Sequence, residues 1–136
     1  FVEEKQYTAE SLKMVDSTVI WNFLCSETGH RMAAAQAEGR LHKEQQFVMG
    51  IPARAVGPVD SDELVVIQGI IDAYFEEDGE LILVDYKTDR TWSSQVLLDH
   101  YKRQLDYYER ALNQLTGKKV REKWIYSLTM QRAIPC

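Results

Sequence analysis

The sequence predicts a mixed α/β fold in which a small sheet is flanked by helices. Two Val-, Ile- and Leu-rich stretches, residues 64–75 and 81–87, are separated by a tight-turn signal at Asp78-Gly79. A later stretch, residues 94–117, carries apolar residues at helical spacing. The two kinds of segment alternate along the chain, which suits neither an all-helix nor an all-strand architecture.

Each element has its own signals. Residues 8–39 read as helical, with Thr8 as N-cap and Leu12, Met14, Val15, Val19, Ile20, Phe23 and Leu24 at roughly helical spacing. Asp16-Ser17-Thr18 reads as an interruption that re-caps the helix, and Gly29 and Gly39 as two stops. Residues 30–38, with their triple alanine, form the last short helix of that region. Residues 41–51 read as a strand ended by Pro52, and 53–62, with Gly57-Pro58, as a loop. After the hairpin, Ser93 or Ser94 caps a long helix ending near Gly117, with the stripe Leu97, Tyr101, Leu105, Tyr108, Leu112 and Leu115. Residues 120–128 read as the final strand. With no repeat and no linker, the expectation is one domain over residues 1–136.

Composition narrows the function classes. The chain has 136 residues, 45% hydrophobic and 27% charged, so it has material for an ordinary packed core. No apolar run approaches the ~18 residues of a membrane span, so no membrane partner is expected. Two cysteines, Cys25 and Cys136, do not suffice for a disulfide framework, a four-cysteine zinc site or an iron–sulfur cluster. A reducing, cytoplasmic setting follows as the simplest expectation. A net charge of −5 argues against a general nucleic-acid glove, though not against a local basic groove. The chain begins at Phe1, so a longer parent polypeptide is expected.

The hairpin brings acids together. With Asp78 and Gly79 as the two central turn residues, Glu77 lies opposite Glu80 and Asp72 opposite Asp85. Lys87 falls on the same face as Asp85, one alternation further on. Two carboxylates ~5 Å apart repel by roughly 3 kcal/mol at an effective dielectric of 20. Strand stability does not ask for that pair, and a divalent cation between the acids would turn the penalty into a binding site. The plain alternative is that strand-end acids are simply solvated. Gln104 is a second anomaly, because it sits on the inward stripe of the long helix between Tyr101 and Tyr108. It reads either as a core glutamine bonded to backbone or, together with a tyrosine, as a polar pair aimed into the cleft beside the acids.

Three segments in this order, Gly69-Ile70-Ile71-Asp72, Asp85-Tyr86-Lys87-Thr88 and Gln104-Leu105-Asp106-Tyr107-Tyr108, resemble the motifs of the RecB-like branch of the PD-(D/E)XK nuclease superfamily. The stretch from Glu27-Thr28-Gly29-His30 through Leu41 to Phe47 extends the resemblance to the nuclease domains of AddA-type helicase–nucleases. The resemblance implies a restriction-endonuclease-like fold and an Mg²⁺-dependent deoxyribonuclease (Mn²⁺ as a substitute) of the exonuclease kind, acting in double-strand break repair and recombination. It implies Asp72 and Asp85 as metal ligands with the backbone carbonyl of Tyr86 as a third, and Lys87 as the catalytic lysine. Gln104 and Tyr108 become the pair that supports the site or the DNA, and Glu44 matches an acidic position on the first strand. The implied partners are DNA, helicase domains of the same parent chain and a second, AddB-like subunit.

Two departures from the family pattern stand out. The upstream histidine of such nucleases has no match in His30 or His42, and the iron–sulfur cysteines of some relatives are missing. The isolated piece is therefore expected to bind metal weakly and cleave little. There is no Gly-rich phosphate loop, so ATP hydrolysis would belong to the parent chain. The competing reading is a catalytically incomplete module that keeps the fold for DNA gripping or subunit docking. A general calcium protein is a poor fit, because Asp78-Gly79-Glu80 lacks EF-hand spacing.

Overall fold

The computed structural model describes residues 17–55, 57 and 63–136. The expected Thr8 cap, the helical residues before Ser17, and residues 56 and 58–62 of the expected loop lie outside the described residues. The elements are α1 (Ser17–Cys25), α2 (Glu27–Ala37), β1 (Leu41–Pro52), a 3₁₀ turn (Ala53–Ala55), β2 (Leu64–Glu77), β3 (Glu80–Lys87), α3 (Ser94–Thr116), β4 (Val120–Ser127) and β5 (Arg132–Pro135). The strands form one sheet in the order β1-β2-β3-β4-β5, as the mixed α/β pattern requires. Neighbours are antiparallel except β3 and β4, whose parallel pairing needs the long crossover supplied by α3.

Both faces of the sheet are covered. On one, Leu97, Leu105, Tyr108, Ala111 and Leu112 of α3 pack against Phe47, Met49, Ile67, Ile71, Leu81, Leu83 and Ile125. On the other, Met32 and Ala35 of α2 pack against Ala73, Phe75, Ile82, Val84 and Tyr126. Phe23 of α1 closes that side, edge-on to Tyr86 and Tyr126 at 5.4 and 4.7 Å. The near-continuous apolar run Leu81-Ile82-Leu83-Val84 reflects burial on both faces.

Three expectations need correction. Gly29 does not stop a helix: the break falls at Ser26, whose hydroxyl caps α2 by accepting from the Gly29 N–H at 3.0 Å. Gly29 is instead a close-approach residue, because a Cβ there would collide with the carbonyl oxygen of Phe23 at the end of α1. Leu115 leaves the inward stripe and is exposed, while Ala111 takes the buried position. The third concerns the sheet, which has an extra strand: Gln131, at φ +53°, turns the chain back so that β5 pairs with β4. The other signals hold: Gly39 and Gly117 end α2 and α3 at φ +73° and +70°, and the Ser93 hydroxyl caps α3.

An ion-pair network ties α2 to the hairpin end. The Arg31 guanidinium donates to Glu77 at 2.7 Å and to Glu122 at 2.9 Å, joining α2, β2 and β4. Hydrogen bonds from Arg31 hold the Glu122 carboxyl down at about 2, and the same donor lowers Glu77. Both groups sit below the ordinary carboxylate value. Their stabilisation is therefore complete above pH 4.5 and is lost as pH falls toward 2. An Arg31→Met chain should unfold more easily than wild type at pH 7, by about 2 kcal/mol. The difference should shrink in denaturation curves taken between pH 4.5 and 2, and one that stays constant over that window would exclude the network as its source. Gly29→Ala should cost about 2–4 kcal/mol in the same measurement, since backbone must move to admit the methyl; an unchanged melting temperature would contradict the close approach.

Candidate active site

The alternation of β3 decides which of its side chains meet. Leu81 and Leu83 face α3, and Ile82 and Val84 face α2. Asp85 and Lys87 therefore turn toward α3, and Tyr86 turns away, its hydroxyl reaching the Met32 sulfur at 3.5 Å. Asp85 is 0% and Lys87 5% exposed. The Lys87 Nζ lies 3.0 Å from Asp85 Oδ2, donates to Gln104 Oε1 at 2.7 Å, and sits 3.7 Å from the centre of the Tyr101 ring. Such a charge pair is tolerated out of water only with close partners, and here α3 supplies two of them.

Asp72 reaches the end of β3 by a break in the sheet. Asp78 and Gly79 both have positive φ, +53° and +79°, which gives the tight two-residue turn that the sequence signals. The pairing then runs as expected from Glu77 opposite Glu80 to Ala73 opposite Val84. It stops one pair short of the expected facing of Asp72 and Asp85. Instead, Asp72 Oδ2 accepts the backbone N–H of Tyr86 at 2.9 Å, so its carboxylate stands where β2 and β3 part.

The cause lies in the β1–β2 ribbon. Ile67 and Ile71 face α3, yet Ala73 and Phe75, also odd-numbered, face α2. The alternation therefore inverts around Asp72. On β1, Glu44 is left opposite Asp72 between the pairs Lys43–Ala73 and Gln45–Ile71, in the left-handed region at φ +52°.

The other site residues divide. Gln104 and Tyr108 lie on the sheet-facing side of α3, Gln104 bonded to Lys87 and Tyr108 fully buried, edge-on to Phe47 at 5.5 Å. Gly69 makes room for that contact: a Cβ there would press on the Phe47 ring at 3.2 Å. Tyr86 contributes backbone to the site and sends its side chain to the other face. Burial raises its phenol pKa, with the charges of Asp72 and Asp85 adding to the effect. Glu44 is exposed on the strand. Sequence reasoning puts Tyr101 on the inward stripe without giving it a partner and passes over Asp89, whose carboxylate accepts the Tyr101 hydroxyl at 2.9 Å. The available signal is the position of Tyr101 one turn before Gln104 on the inward stripe.

The donor set suits a hard divalent cation. Among the described residues no three His, Cys, Asp or Glu side chains converge. The carboxylates of Asp72 and Asp85 are oxygen donors of the kind a hard divalent cation takes, whereas a closed zinc site draws on nitrogen and sulfur.

A family model for the PD-(D/E)XK nuclease superfamily matches residues 3–133, and the chain belongs to that superfamily. It is similar to an ATP-dependent helicase/nuclease subunit of Lachnoclostridium phytofermentans, with 35% identity over 161 residues, 92% of this chain and 12% of the relative. The protein of the same name from Clostridium botulinum strain Loch Maree is 36% identical over 138 residues, 98% of this chain and 11% of the relative. The chain thus spans 11–12% of the length of these relatives. A solved structure titled "Crystal structure of SSO0001" aligns with a TM-score of 0.49 at 17% identity, covering 93% of this chain and 54% of that one.

The bond from Tyr86 gives Asp72 a structural role that substitution can test. Asp72→Ala removes the acceptor and should lower metal-free stability by about 1–2 kcal/mol. Asp72→Asn keeps an acceptor oxygen and should unfold close to wild type. Thermal denaturation with a chelator present checks both, and equal melting temperatures for the Ala and Asn variants would show that the bond carries no stability.

Proposed function

We propose that the chain is the nuclease domain of a longer helicase–nuclease, that it hydrolyses DNA phosphodiester bonds with Mg²⁺ (Mn²⁺ as a substitute), and that it serves double-strand break repair and recombination as an exonuclease. The observation that carries this reading is the gathering of Asp72, Asp85, Lys87 and Gln104 at the end of β3, with a nearly buried ammonium beside a buried carboxylate. A purely structural strand end has no use for that arrangement, which costs stability. The names of the relatives, which describe them as parts of an ATP-dependent helicase/nuclease, support the helicase–nuclease context.

Asp72, Asp85 and the Tyr86 carbonyl would hold the ion, which when bound supplies positive charge for the phosphate and activates water. The chain's own residues do the positioning. Lys87 presents a fixed ammonium where charge grows on the phosphate oxygens during displacement. Gln104 orients that ammonium through its carbonyl oxygen. Tyr108 backs the site from α3, fully buried over Gly69 and Phe47. Glu44 lies opposite Asp72 and is exposed, and in this reading it would meet the DNA.

The charge distribution supports delivery of the strand by other parts of the polypeptide. The chain carries a net −5, and Lys118 and Arg121, cationic in the sequence, are held by Glu76, Glu77, Asp78 and Glu122. Lys102 and Arg103 remain exposed on α3. The proposed partners are therefore DNA, helicase domains of the same chain and a second, AddB-like subunit. Among the described residues no helix is long and apolar enough to cross a membrane, and a cytoplasmic setting fits the free Cys25 and Cys136.

The test is digestion of linear DNA by the intact polypeptide, with metal binding followed by calorimetry. Wild type should cleave with Mg²⁺ or Mn²⁺ and stop with chelator. Asp72→Asn should lose metal affinity and activity together. Lys87→Met should still bind metal while turnover falls by roughly 10²–10³-fold. Cleavage by Asp72→Asn at the wild-type rate, or cleavage in chelator, would falsify the reading.

A further inference from the structure

We propose that Tyr101 and Asp89 are positioning residues that fix the Lys87 ammonium in its working place. The inference rests on the nuclease reading above, in which Lys87 meets the scissile phosphate. Its own basis is a chain of contacts. The Lys87 Nζ lies 3.7 Å from the centre of the Tyr101 ring, well inside the ~6 Å range of a cation–π contact. The Tyr101 hydroxyl donates to both carboxylate oxygens of Asp89 at 2.9 Å. The Asp89 carbonyl in turn accepts from the Thr129 hydroxyl at 2.8 Å, and the Lys87 carbonyl from the Leu128 N–H at 2.9 Å. The segment leaving β3 is thus pinned to the β4–β5 turn, and the ring is pinned to that segment.

The chemistry of each part follows. A lysine ammonium rides on a flexible four-carbon stem, so a catalytic lysine needs walls. Asp85 and Gln104 supply two, and the face of the Tyr101 ring supplies the third. Donation to a carboxylate leaves the phenol oxygen, and with it the ring face, more electron-rich toward the cation. A plain core position on α3 would be served by leucine, as at Leu97 and Leu105. Tyr101 instead turns its ring face to a cation and its hydroxyl to an anion.

Three variants separate positioning from packing: Tyr101→Leu removes ring and hydroxyl, Tyr101→Phe keeps the ring, and Asp89→Asn keeps an acceptor without the charge. The first readout is carbon–proton NMR of the chain with labelled lysine. Ring currents should move the Lys87 side-chain protons upfield in wild type and in Tyr101→Phe, and the shift should vanish in Tyr101→Leu. The second is DNA cleavage by the intact polypeptide, alongside Lys87→Met and metal calorimetry. Tyr101→Leu should lower kcat by about tenfold, with KM and metal affinity within about twofold of wild type, and Tyr101→Phe should recover part of the loss. Asp89→Asn should lower kcat in the same pattern, by about threefold.

Wild-type turnover by Lys87→Met would overturn the nuclease reading itself. A dead Lys87→Met beside a Tyr101→Leu with wild-type kcat, or wild-type Lys87 protons without the upfield shift, would overturn the positioning role alone. Should Tyr101→Leu fail to fold, Tyr101→Phe and Asp89→Asn decide: wild-type kcat in both removes the tie to Asp89 and with it the proposal.

Discussion

An ion pair between Asp85 and Lys87, almost wholly out of water, is the constraint around which the molecule is arranged. Removing two charges from water costs several kcal/mol each, and their mutual attraction offsets this only with good geometry and further polar partners. Those partners come from a helix that must also be the parallel crossover between β3 and β4. α3 lies across the sheet because its apolar stripe packs there, and in doing so it carries Gln104 and Tyr101 over the lysine. Packing and polar satisfaction thus act through one element, so neither is adjustable alone.

The hairpin was legible because its turn chemistry is local. Asp78-Gly79 specifies a two-residue turn with both φ positive, and the count from that turn puts Asp72 beside the end of β3. α3 was legible because 3.6-residue periodicity and its Ser93 and Gly117 ends are also local. The inversion around Asp72 was not. It depends on two strands changing faces at the same step, with Glu44 in a conformation that its residue type does not announce. A count by alternation gives the right neighbours there and the wrong detail, because Asp72 bonds to backbone instead of standing opposite Asp85. Gly29 misled for a related reason. A glycine needed for close approach of two helices looks, in sequence, like a glycine that ends one. The short β5 has too few apolar residues to show a period, and its pairing partner, not its composition, makes it a strand.

The charged surface has a division of labour. Arg31, Lys118 and Arg121 hold the acidic hairpin end against α2 and β4. Lys123 bridges β4 to Asp106 and Glu109 on the outer side of α3; burial pulls its pKa down, but the hydrogen bonds and charges of the two carboxylates together raise it above the ordinary value. These cations brace the elements from outside, while Lys87, the one buried lysine among the described residues, is the one proposed to act on the phosphate. Charge count alone could not make that distinction, since every one of these residues looks alike in composition.

The site is also compact along the chain. Asp72 and Tyr86 are 14 residues apart, Lys87 and Gln104 17, and Asp89 and Tyr101 12. Each contact closes a short loop, and the entropy of loop closure grows only by about 0.6 kcal/mol per doubling of loop length. Contacts of this low order form quickly and need little of the remaining chain. During synthesis, β2, β3 and α3 are complete before β4 and β5 have been added. The contacts that grip the lysine thus lie within β2, β3, α3 and the segment between them, and the β4–β5 turn adds a brace through Thr129 and Leu128.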